Sequence, residues 1–291
     1  VRRDAAGELQ GRSDHRAVID RDVAAVVEGG AVLMFPDLDF PLSAFEERFV
    51  ERPFADGKAK NVNIRGPEAT LRGAAGTPEE QEALRQVLIR YRRFAEALVT
   101  EHLPAYAGKV AFAGTSYRPF EVDQRKLSWR RDDTRLHVDA FPSNPIGEKR
   151  ILRIFRNINP NGQPRHWRVG EDFPSMAQKF LPRLPGYSPL SARMLALLKI
   201  TKARRSEYDH LMLHLHDALK QDMTYQETAP QADVHFAPGQ TWVTFSDLVM
   251  HGAMGGQYML EQTAYLAVAD QARPERSPQR LLAQALGRPL R

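Results

Sequence analysis

The sequence has no cysteine, no long apolar run and no glycine-rich nucleotide motif, and each absence excludes a class of protein. Without cysteine there are no disulfides and no thiolate ligands, so any metal must be bound by histidine and carboxylate side chains. No stretch approaches about 18 apolar residues, and residues 1–16 lack the apolar core of a signal peptide. Neither GxGxxG nor a P-loop occurs, which argues against a Rossmann or P-loop enzyme. The absence of cysteine and of an apolar signal-peptide core leads us to expect a cytoplasmic protein.

The composition is that of an ordinary globular protein with an excess of positive charge. Hydrophobic residues make up 42% and charged residues 26% of the 291 positions. The net charge of +5 favours an anionic partner, which could be nucleic acid, phospholipid or an acidic small molecule. The sequence contains no nucleic-acid recognition motif, so nucleic acid is not expected.

The first 108 residues are predicted to supply helices and one strand that support the rest of the fold. Capping boxes, apolar runs and terminal glycines predict a helix over 14–30, a buried strand over 31–36, a helix over 43–51 and a helix over 77–103. The last helix has the strongest signal, because Thr77 caps it and Glu80 completes the capping box. Its apolar residues form one helical stripe: Leu84, Val87, Leu88, Tyr91, Ala95 and Leu98.

From residue 109 the pattern changes to short strands separated by proline, glycine and asparagine. The predicted strands lie at 110–122, 134–141, 149–160 and 165–171, with more within 232–268. Strands that bracket a helical segment predict a mixed α+β protein with a sandwich or jelly roll. We expect one domain over 1–291, made of an N-terminal support (1–108), a core (109–171 and 232–268), a helical insertion (172–231) and a basic amphipathic tail (269–291).

The segment RLHVDAFPS, residues 135–143, places His137 and Asp139 two positions apart. On an extended chain these side chains point to the same face, where they offer one nitrogen and one oxygen ligand to a metal. Non-haem Fe(II) oxygenases use two histidines and one carboxylate. His251, which follows a Pro-Gly turn and the strand TWVTF, is the candidate second histidine. The alternative is that His137 is a core residue and His251 caps a turn.

These residues resemble a known superfamily. His137-x-Asp139 and His251, with PGQTWVTFSD before the second histidine, are similar to Fe(II)/2-oxoglutarate-dependent dioxygenases on a double-stranded β-helix (jelly roll). The similarity covers about residues 110–268. RLHVDAFPSNP, RILRIFRNINPNG and HWRVGEDF resemble the bacterial Kdo 3-hydroxylases, which hydroxylate 3-deoxy-D-manno-oct-2-ulosonic acid in the lipopolysaccharide inner core. The resemblance implies Fe(II) at the two histidines and the aspartate, 2-oxoglutarate as cosubstrate, O2, and a Kdo-containing lipid A acceptor.

The resemblance also implies a cation, preferably a bidentate arginine, for the distal carboxylate of 2-oxoglutarate. Many relatives have it about ten residues after the second histidine, but here residues 261–263 contain no basic side chain. A second group has it on the strand after His-x-Asp, where this chain has Arg153 and Arg156. These two face opposite sides of a strand, and we favour Arg153 over Arg156. Either could instead be exposed or ion-paired, and Gln262 is expected to assist by hydrogen bonding.

Other polar residues have weaker assignments. His210 and His214 share one helical face but lack the glutamate of HExxH, so we expect them to face solvent. The basic segment 199–207, beside the apolar ARMLALLK, either rests on an anionic membrane or packs with a solvated basic end. Trp129 and Trp167 are expected to pack in the core. Further basic residues are candidates for the substrate's anionic groups, most of them expected to be solvated: Lys58, Lys60, Arg65, Arg118, Arg125, Arg130 and Arg131.

Three functions therefore remain open from the sequence. The first is hydroxylation of Kdo at C3 on a lipid A precursor. The second is the same chemistry on another small molecule, a protein or a nucleic acid. The third is a non-enzymatic, cupin-like binding protein.

Overall fold

The computed structural model describes residues 23–51, 54–57, 59, 61–122 and 128–290, and the backbone of two short strands near the N-terminus. The strands are β1 (Arg2–Arg3), β2 (Leu9–Gln10), β3 (Leu33–Phe35), β4 (Val62–Arg65), β5 (Thr70–Arg72), β6 (Val110–Arg118), β7 (Lys149–Asn157), β8 (Arg165–Gly170), β9 (Gln231–Phe236), β10 (Thr241–Phe245), β11 (His251–Gly255) and β12 (Met259–Ala267). The helices are α1 (Val23–Glu28), α2 (Ala44–Glu51), α3 (Pro78–His102), α4 (Phe173–Phe180), α5 (Pro189–Leu197), α6 (Glu207–Gln221), α7 (Met223–Thr228) and α8 (Pro278–Ala285).

The predicted capping boxes form and fix where two helices begin. At α3 the Glu80 N–H donates to Thr77 Oγ1 at 3.3 Å, and the Thr77 N–H donates to Glu80 Oε2 at 2.9 Å. At α2 the same exchange joins Ser43 and Glu46. All six predicted apolar residues of α3 are buried. These helices begin where predicted because neighbouring residues in the sequence satisfy the free N–H groups of the first turn.

The first predicted helix is described only in part. Its helix, α1, starts at Val23, and residues 14–22 of the predicted range lie outside the described residues. Gly30 ends the segment with φ +86°, a conformation that favours glycine.

Two antiparallel sheets form the centre of the described structure. The larger sheet has the strand order β3-β10-β7-β12-β6-β4-β5, and the smaller has the order β11-β8-β9. Aromatic side chains from both sheets pack together: Trp167 on β8 lies edge-on to Phe155 on β7 and Trp242 on β10, with ring centroids 5.0 and 5.6 Å apart. The sheets therefore face each other across a shared apolar layer, as in a sandwich.

The prediction of a regular strand over 134–141 is wrong. The segment makes one isolated antiparallel bridge, between His137 and His251, and otherwise has no strand ladder. It lies beside β11 as an extended addition to the smaller sheet. The local sequence looks like a strand because its side chains alternate, but its hydrogen bonds go to several different partners.

The helical insertion joins β8 to β9, which are neighbours in the smaller sheet. Helices α4 to α7 occupy it, and α8 in the C-terminal tail packs on α4. Buried apolar residues of α4, α6 and α8, among them Phe173, Leu215 and Leu282, join one core cluster with residues of β7 and β10. Among the described residues no helix combines the length and apolarity needed to cross a bilayer.

Candidate active site

His137 and His251 are brought side by side by the bridge between the His-x-Asp segment and β11. The N–H of each histidine donates to the carbonyl of the other, with N···O distances of 3.0 and 2.9 Å. Two residues paired in this way project their side chains to the same face of a sheet. Asp139 points to that face as well, and its N–H donates to the Ser246 carbonyl at 2.8 Å. One ligand atom from each of the three side chains lies within 4.8 Å of the others.

A glutamine from the helical insertion holds the same segment along its other edge. The Leu136 N–H donates to Gln226 Oε1 at 2.7 Å, and Gln226 Nε2 donates to the Leu136 carbonyl at 3.0 Å. The buried Gln226 amide thus takes the place of a neighbouring strand's peptide group. It also donates to the Leu219 carbonyl at 2.8 Å, which fixes its own orientation.

The protonation of the two histidines suits metal binding. His137 Nδ1 lies 2.7 Å from the Arg135 carbonyl, and His251 Nδ1 lies 2.8 Å from the Val249 carbonyl. A carbonyl only accepts, so each Nδ1 carries the hydrogen and each Nε2 keeps a free lone pair. Burial is the largest cause of a lowered pKa at both rings, to about 3 for His137. Both imidazoles are therefore neutral near pH 7.

Asp139 is held in its ionised form. Burial alone would raise the pKa of this carboxyl, but Arg153, together with the two histidines, outweighs burial and holds the pKa well below its usual range. Asp139 Oδ1 lies 3.7 Å from His137 Nε2, and Asp139 Oδ2 accepts from Arg153 Nη2 at 2.8 Å. One oxygen thus faces the histidines while the other faces an arginine.

A cavity between the two sheets opens onto these three side chains. Its wall is formed by Arg118, Asp133, His137, Asp139, Arg153, Phe155, Arg165, Trp167, His251, Ala253 and Met259. Three arginines in one partly enclosed cavity mark it as a site for anions.

Two of these arginines belong to a row of alternating charges. Arg118 Nη1 contacts Asp133 Oδ2 at 3.4 Å, and both Arg118 and Arg153 form ion pairs with the buried Glu261. Arg153 continues the row to Asp139. Arg118 and Arg153 therefore each have two carboxylate partners.

Arg165 differs from the other two arginines. It is 3% exposed, and among the described residues no carboxylate lies within 4.0 Å of its guanidinium. Nη1 donates to the Gly256 carbonyl, whereas Nε has no partner in the described part of the chain. Burial, reinforced by the charge of Arg118, lowers the pKa of Arg165 to about 10. A buried cation without a counter-ion is costly, so this position is prepared for an anionic ligand.

Trp167 contributes an unsatisfied donor of a different kind, an indole N–H. Its ring stacks on His251, with centroids 5.0 Å apart and an interplanar angle of 22°. The indole is buried, and its Nε1–H has no acceptor among the described residues. Indole N–H groups are usually bonded when buried, so this donor also points to a ligand.

The three residues predicted to bind 2-oxoglutarate lie in different places, and only one of them lines the cavity. Arg153 lines the cavity, as favoured from the sequence, although it is ion-paired. Arg156 lies on the other side of β7, where Nη1 donates to Thr241 Oγ1 at 2.9 Å. Gln262 is a correction: it is absent from the cavity wall, and its amide instead bonds Thr115 Oγ1 at 2.6 Å and nearby backbone carbonyls. The preceding residue on β12, Glu261, faces Arg118 and Arg153, so the alternation of side chains along the strand points Gln262 to the opposite side.

Two cavity residues with unsatisfied donors, Arg165 and Trp167, are not functional candidates in the sequence. No pattern there singles out Arg165, and the expectation for Trp167 is packing in the core. The alternation Arg165, Trp167, Val169 along β8 puts all three on one buried face, which was the available signal. That this face meets His251 follows only from the pairing of β8 with β11. His216 on α6 was also missed; its ring lies edge-on to His137, with centroids 5.4 Å apart.

The remaining candidates lie away from the cavity or outside the described residues. His210 and His214 are partly exposed on α6, with His210 Nε2 bonded to the Pro185 carbonyl at 2.9 Å. Arg130 stacks on Trp129 and pairs with Asp217. Arg65 and Arg131 are exposed, and Arg118 lines the cavity. The residues outside the described part are Lys58, Lys60 and Arg125.

Two facing antiparallel sheets that present two histidines and one carboxylate beside an arginine-lined cavity define the class of non-haem Fe(II)/2-oxoglutarate oxygenases. Comparison with known proteins supports this class. The family described as 3-deoxy-D-manno-oct-2-ulosonic acid (Kdo) hydroxylase matches residues 11–289. The chain belongs to the Kdo hydroxylase family.

Solved structures of the Kdo hydroxylase KdoO, a non-haem Fe(II) α-ketoglutarate-dependent dioxygenase, are similar to this chain. The complex with succinate and Fe(III) is 44% identical over 92% of this chain and 90% of that chain, with a TM-score of 0.87. The complex with α-ketoglutarate and Fe(III) is 43% identical over the same shares, with a TM-score of 0.87. The cobalt(II) complex is 44% identical over these shares, with a TM-score of 0.88. No curated protein matches the chain.

These matches confirm several predictions made from the sequence. The family, the mixed α+β fold with a jelly-roll core, and the class of enzyme are those predicted, as are Fe(II) and 2-oxoglutarate as the cofactor and cosubstrate of that class. The alternative of a non-enzymatic binding protein is wrong.

Proposed function

We propose that His137, Asp139 and His251 bind Fe(II). The observation that carries this assignment is the convergence of their three ligand atoms within 4.8 Å at one end of an anion-binding cavity. The residues fit the metal: two neutral imidazoles and one ionised carboxylate form the donor set that non-haem Fe(II) enzymes use. Three protein ligands on one face leave positions for 2-oxoglutarate and O2.

We propose that the cosubstrate's distal carboxylate binds Arg165 and accepts a hydrogen bond from Trp167 Nε1. Arg118 and Arg153 also have an unbonded Nε, but both are paired with carboxylates, whereas Arg165 has no carboxylate partner among the described residues. Trp167 Nε1 is an unsatisfied donor on the same cavity wall, and a carboxylate matches both groups. Arg153 remains a predicted contact as well, because it lines the cavity beside Asp139. Arg156 and Gln262 are not included, since their side chains bond elsewhere.

When bound, Fe(II), 2-oxoglutarate and O2 supply the oxidising chemistry, in which 2-oxoglutarate becomes succinate and CO2 and a substrate C–H bond is hydroxylated. The chain orients and shields these partners. The backbone carbonyls of Arg135 and Val249 fix both imidazoles with Nε2 towards the cavity. Phe155 and Met259 provide apolar wall that limits access of water.

We propose that the acceptor is Kdo in the lipopolysaccharide inner core, attached to lipid A, and that the hydroxyl is added at C3. Membership of the Kdo hydroxylase family supports the sugar. The name 3-deoxy marks C3 as a carbon without a hydroxyl, which is where a hydroxylase can add one. Kdo is an acid, and the net charge of +5 suits an anionic acceptor.

The first experiment tests the metal and the cosubstrate. Anaerobic protein is titrated with Fe(II) and 2-oxoglutarate while the metal-to-ligand charge-transfer band is recorded, in wild type and in His137→Ala. We expect the band in wild type and its loss in the variant. Bound iron without a band in wild type would contradict the assignment of the cosubstrate site.

The second experiment tests the acceptor. Wild-type enzyme is incubated with Kdo-lipid A, with free Kdo and with unrelated peptides and nucleobases, and mass spectrometry records products heavier by one oxygen. We expect turnover of Kdo-lipid A, with the new hydroxyl assigned to C3 by fragmentation. Turnover of a peptide or nucleobase and none of Kdo-lipid A would favour the second function predicted from the sequence.

We further propose that α5 and the basic residues after it contact an anionic membrane surface. Five large apolar side chains here are exposed, by 55% to 82%: Leu190, Met194, Leu197, Leu198 and Ile200. Three basic residues next to them in the sequence are exposed as well: Lys199, Lys202 and Arg204. A single soluble helix rarely exposes this much apolar surface, and surrounding cations complement acidic lipid headgroups.

The position of this surface suits a lipid-linked substrate. The Lys202 N–H donates to the Ser143 carbonyl at 2.9 Å, and the Arg205 guanidinium bonds the Pro142 carbonyl. Both carbonyls belong to the loop that leaves Asp139. The basic segment is therefore linked, through at most four residues or about 14 Å of chain, to the proposed metal site.

Vesicle sedimentation tests this contact. Wild type is compared with Leu197→Glu and with Met223→Glu, which alters an exposed apolar residue on α7. On vesicles containing phosphatidylglycerol we expect Leu197→Glu to lower binding about thirtyfold and Met223→Glu to leave it unchanged. Equal binding by all three proteins, or a wild-type dimer that Leu197→Glu dissociates, would contradict a membrane role.

We propose that the whole chain, 1–291, acts as one domain with the predicted subdivisions, in the cytoplasm and in part at the inner membrane face. One core cluster that joins α1, α3, α4, α6 and α8 to the larger sheet supports a single unit. Urea unfolding tests it, with one cooperative transition expected.

A further inference from the structure

Glu261 on β12 stands at the centre of the charged row but not on the cavity wall. Its carboxylate is 3% exposed and lies behind Arg118 and Arg153, which do line the cavity. Thr263 Oγ1 donates to Glu261 Oε1 at 3.4 Å. Glu261 therefore contacts the site through the two arginines rather than by reaching the cavity itself.

The contact with Arg153 divides that guanidinium between two carboxylates. Nη2 of Arg153 donates to Asp139 Oδ2 at 2.8 Å, and Nη1 is bound by Glu261. An arginine fork can also bind both oxygens of one carboxylate. If both arms of Arg153 engaged Asp139, the oxygen that now faces His137 would be occupied and a metal would have to displace the arginine.

Glu261 also completes the charge balance of the cavity. Arg118, Arg153 and Arg165 bring three positive charges, and Asp133, Asp139 and Glu261 bring three negative charges. Loss of the Glu261 charge would leave the cavity net positive, which disfavours a divalent cation and favours a dianion.

We propose that Glu261 is a positioning residue that sets the metal affinity of the site by holding one arm of Arg153 away from Asp139. This inference rests on the proposed function, in which Asp139 binds the metal. It predicts that the affinities for the metal and for 2-oxoglutarate respond differently to loss of the Glu261 charge. Glu261→Gln keeps the shape of the side chain and removes its charge, so metal binding weakens while binding of 2-oxoglutarate does not.

The test measures binding rather than activity. Metal-free protein is titrated calorimetrically with Co(II), and the Co(II)-saturated protein is then titrated with 2-oxoglutarate. For Glu261→Gln we expect the Kd of Co(II) to rise about tenfold, the range seen when groups that orient a metal ligand are removed. The affinity for 2-oxoglutarate is expected to be unchanged or higher. Glu261→Asp, which keeps the charge but shortens its reach, should fall between wild type and Glu261→Gln for Co(II).

Glu28→Gln is the matched control, because Glu28 is another fully buried carboxylate, bonded to Tyr106 and to the backbone far along the chain. It should lower stability without changing the affinity for either ligand. If wild type binds no Co(II), or His137→Ala binds it equally well, the proposed metal site itself is wrong. If wild type binds Co(II) and Glu261→Gln binds it as tightly, only this inference fails.

Two further results would also overturn the inference. A Glu261→Gln variant that loses affinity for Co(II) and 2-oxoglutarate together would show a general structural role. If Glu261→Gln does not fold, Glu261→Asp decides: an unchanged Kd of Co(II) in that variant contradicts the proposal, and a raised one supports it.

Discussion

Replacing Arg165 by methionine should make the metal-free protein more stable and at the same time abolish tight binding of 2-oxoglutarate. The two effects have one cause, since the buried guanidinium has no carboxylate partner among the described residues. Methionine fills similar volume without a charge. A residue that merely supported the fold would change stability in the opposite direction.

The expected gain in stability follows from the pKa of Arg165. Burial is the main cause that lowers it from 12.5 to about 10, which corresponds to about 3 kcal/mol of disfavoured charge in the folded state. Because Arg165 is a base, this penalty applies at every pH below about 10 and fades as the pH rises through that value. Loss of the hydrogen bond to the Gly256 carbonyl costs about 1 kcal/mol. The net gain is about 2 kcal/mol, or roughly 4 °C in Tm.

The expected loss of binding follows from the missing ion pair. Charge-assisted hydrogen bonds contribute about 1.5–3 kcal/mol each, so losing the pair should weaken binding of 2-oxoglutarate by a factor on the order of 100 or more. Differential scanning calorimetry of metal-free protein and titration of Co(II)-loaded protein measure the two effects. Arg168→Met, which replaces a partly exposed arginine on the same strand, is the control and should change neither. Unchanged affinity for 2-oxoglutarate, or a lower Tm, would refute the reasoning.

Four other substitutions or conditions have definite expectations. Trp167→Phe keeps the stack on the His251 imidazole but removes the unsatisfied N–H, so binding of 2-oxoglutarate should weaken about tenfold with Co(II) binding unchanged in calorimetry. Arg156→Met should bind 2-oxoglutarate with an affinity within about twofold of wild type in the same titration, because this arginine bonds outside the cavity. Burial lowers the pKa of His137 to about 3, so as the pH falls below 6.5 the unfolded chain takes up a proton before the folded protein does. Urea unfolding should therefore show that this group lowers the free energy of unfolding by about 2 kcal/mol at about pH 5. In His137→Gln the free energy of unfolding should fall less on acidification. Arg150→Met leaves the fully buried Asp247 without its ion pair and should cost about 3–5 kcal/mol in urea unfolding, whereas adding Asp247→Leu should restore most of it.

The features that could be predicted from the sequence are those specified by neighbouring residues. Thr77 and Glu80 fix the start of α3 by bonding each other, and both lie within one helical turn. His137 and Asp139 share a face because extended chain alternates, whatever the fold around them. The same rule separates Arg153 from Arg156, which the structure places on opposite sides of β7.

The features that could not be predicted depend on register between distant strands. Arg165 and Trp167 alternate correctly along β8, but only the pairing of β8 with β11 brings them to His251. Gln262 lies beside Glu261, and the side of β12 that each faces is set by its place between β6 and β7. A shift of one residue would exchange their roles, and no local signal in the sequence fixes that register.

The least regular part of the site is also the part that depends most on the helical insertion. The His-x-Asp segment has no strand ladder of its own, so its position is set by the His137–His251 bridge on one edge and by the Gln226 amide on the other. Gln226 comes from α7, and His216 from α6 lies against the ring of His137. With the two jelly-roll sheets alone, the backbone N–H and C=O groups of Leu136 would lose the Gln226 amide as their hydrogen-bond partner. Buried backbone groups without partners are costly. The insertion is therefore a structural component of the proposed metal site, and its length between two adjacent strands reflects that role rather than a tolerated loop.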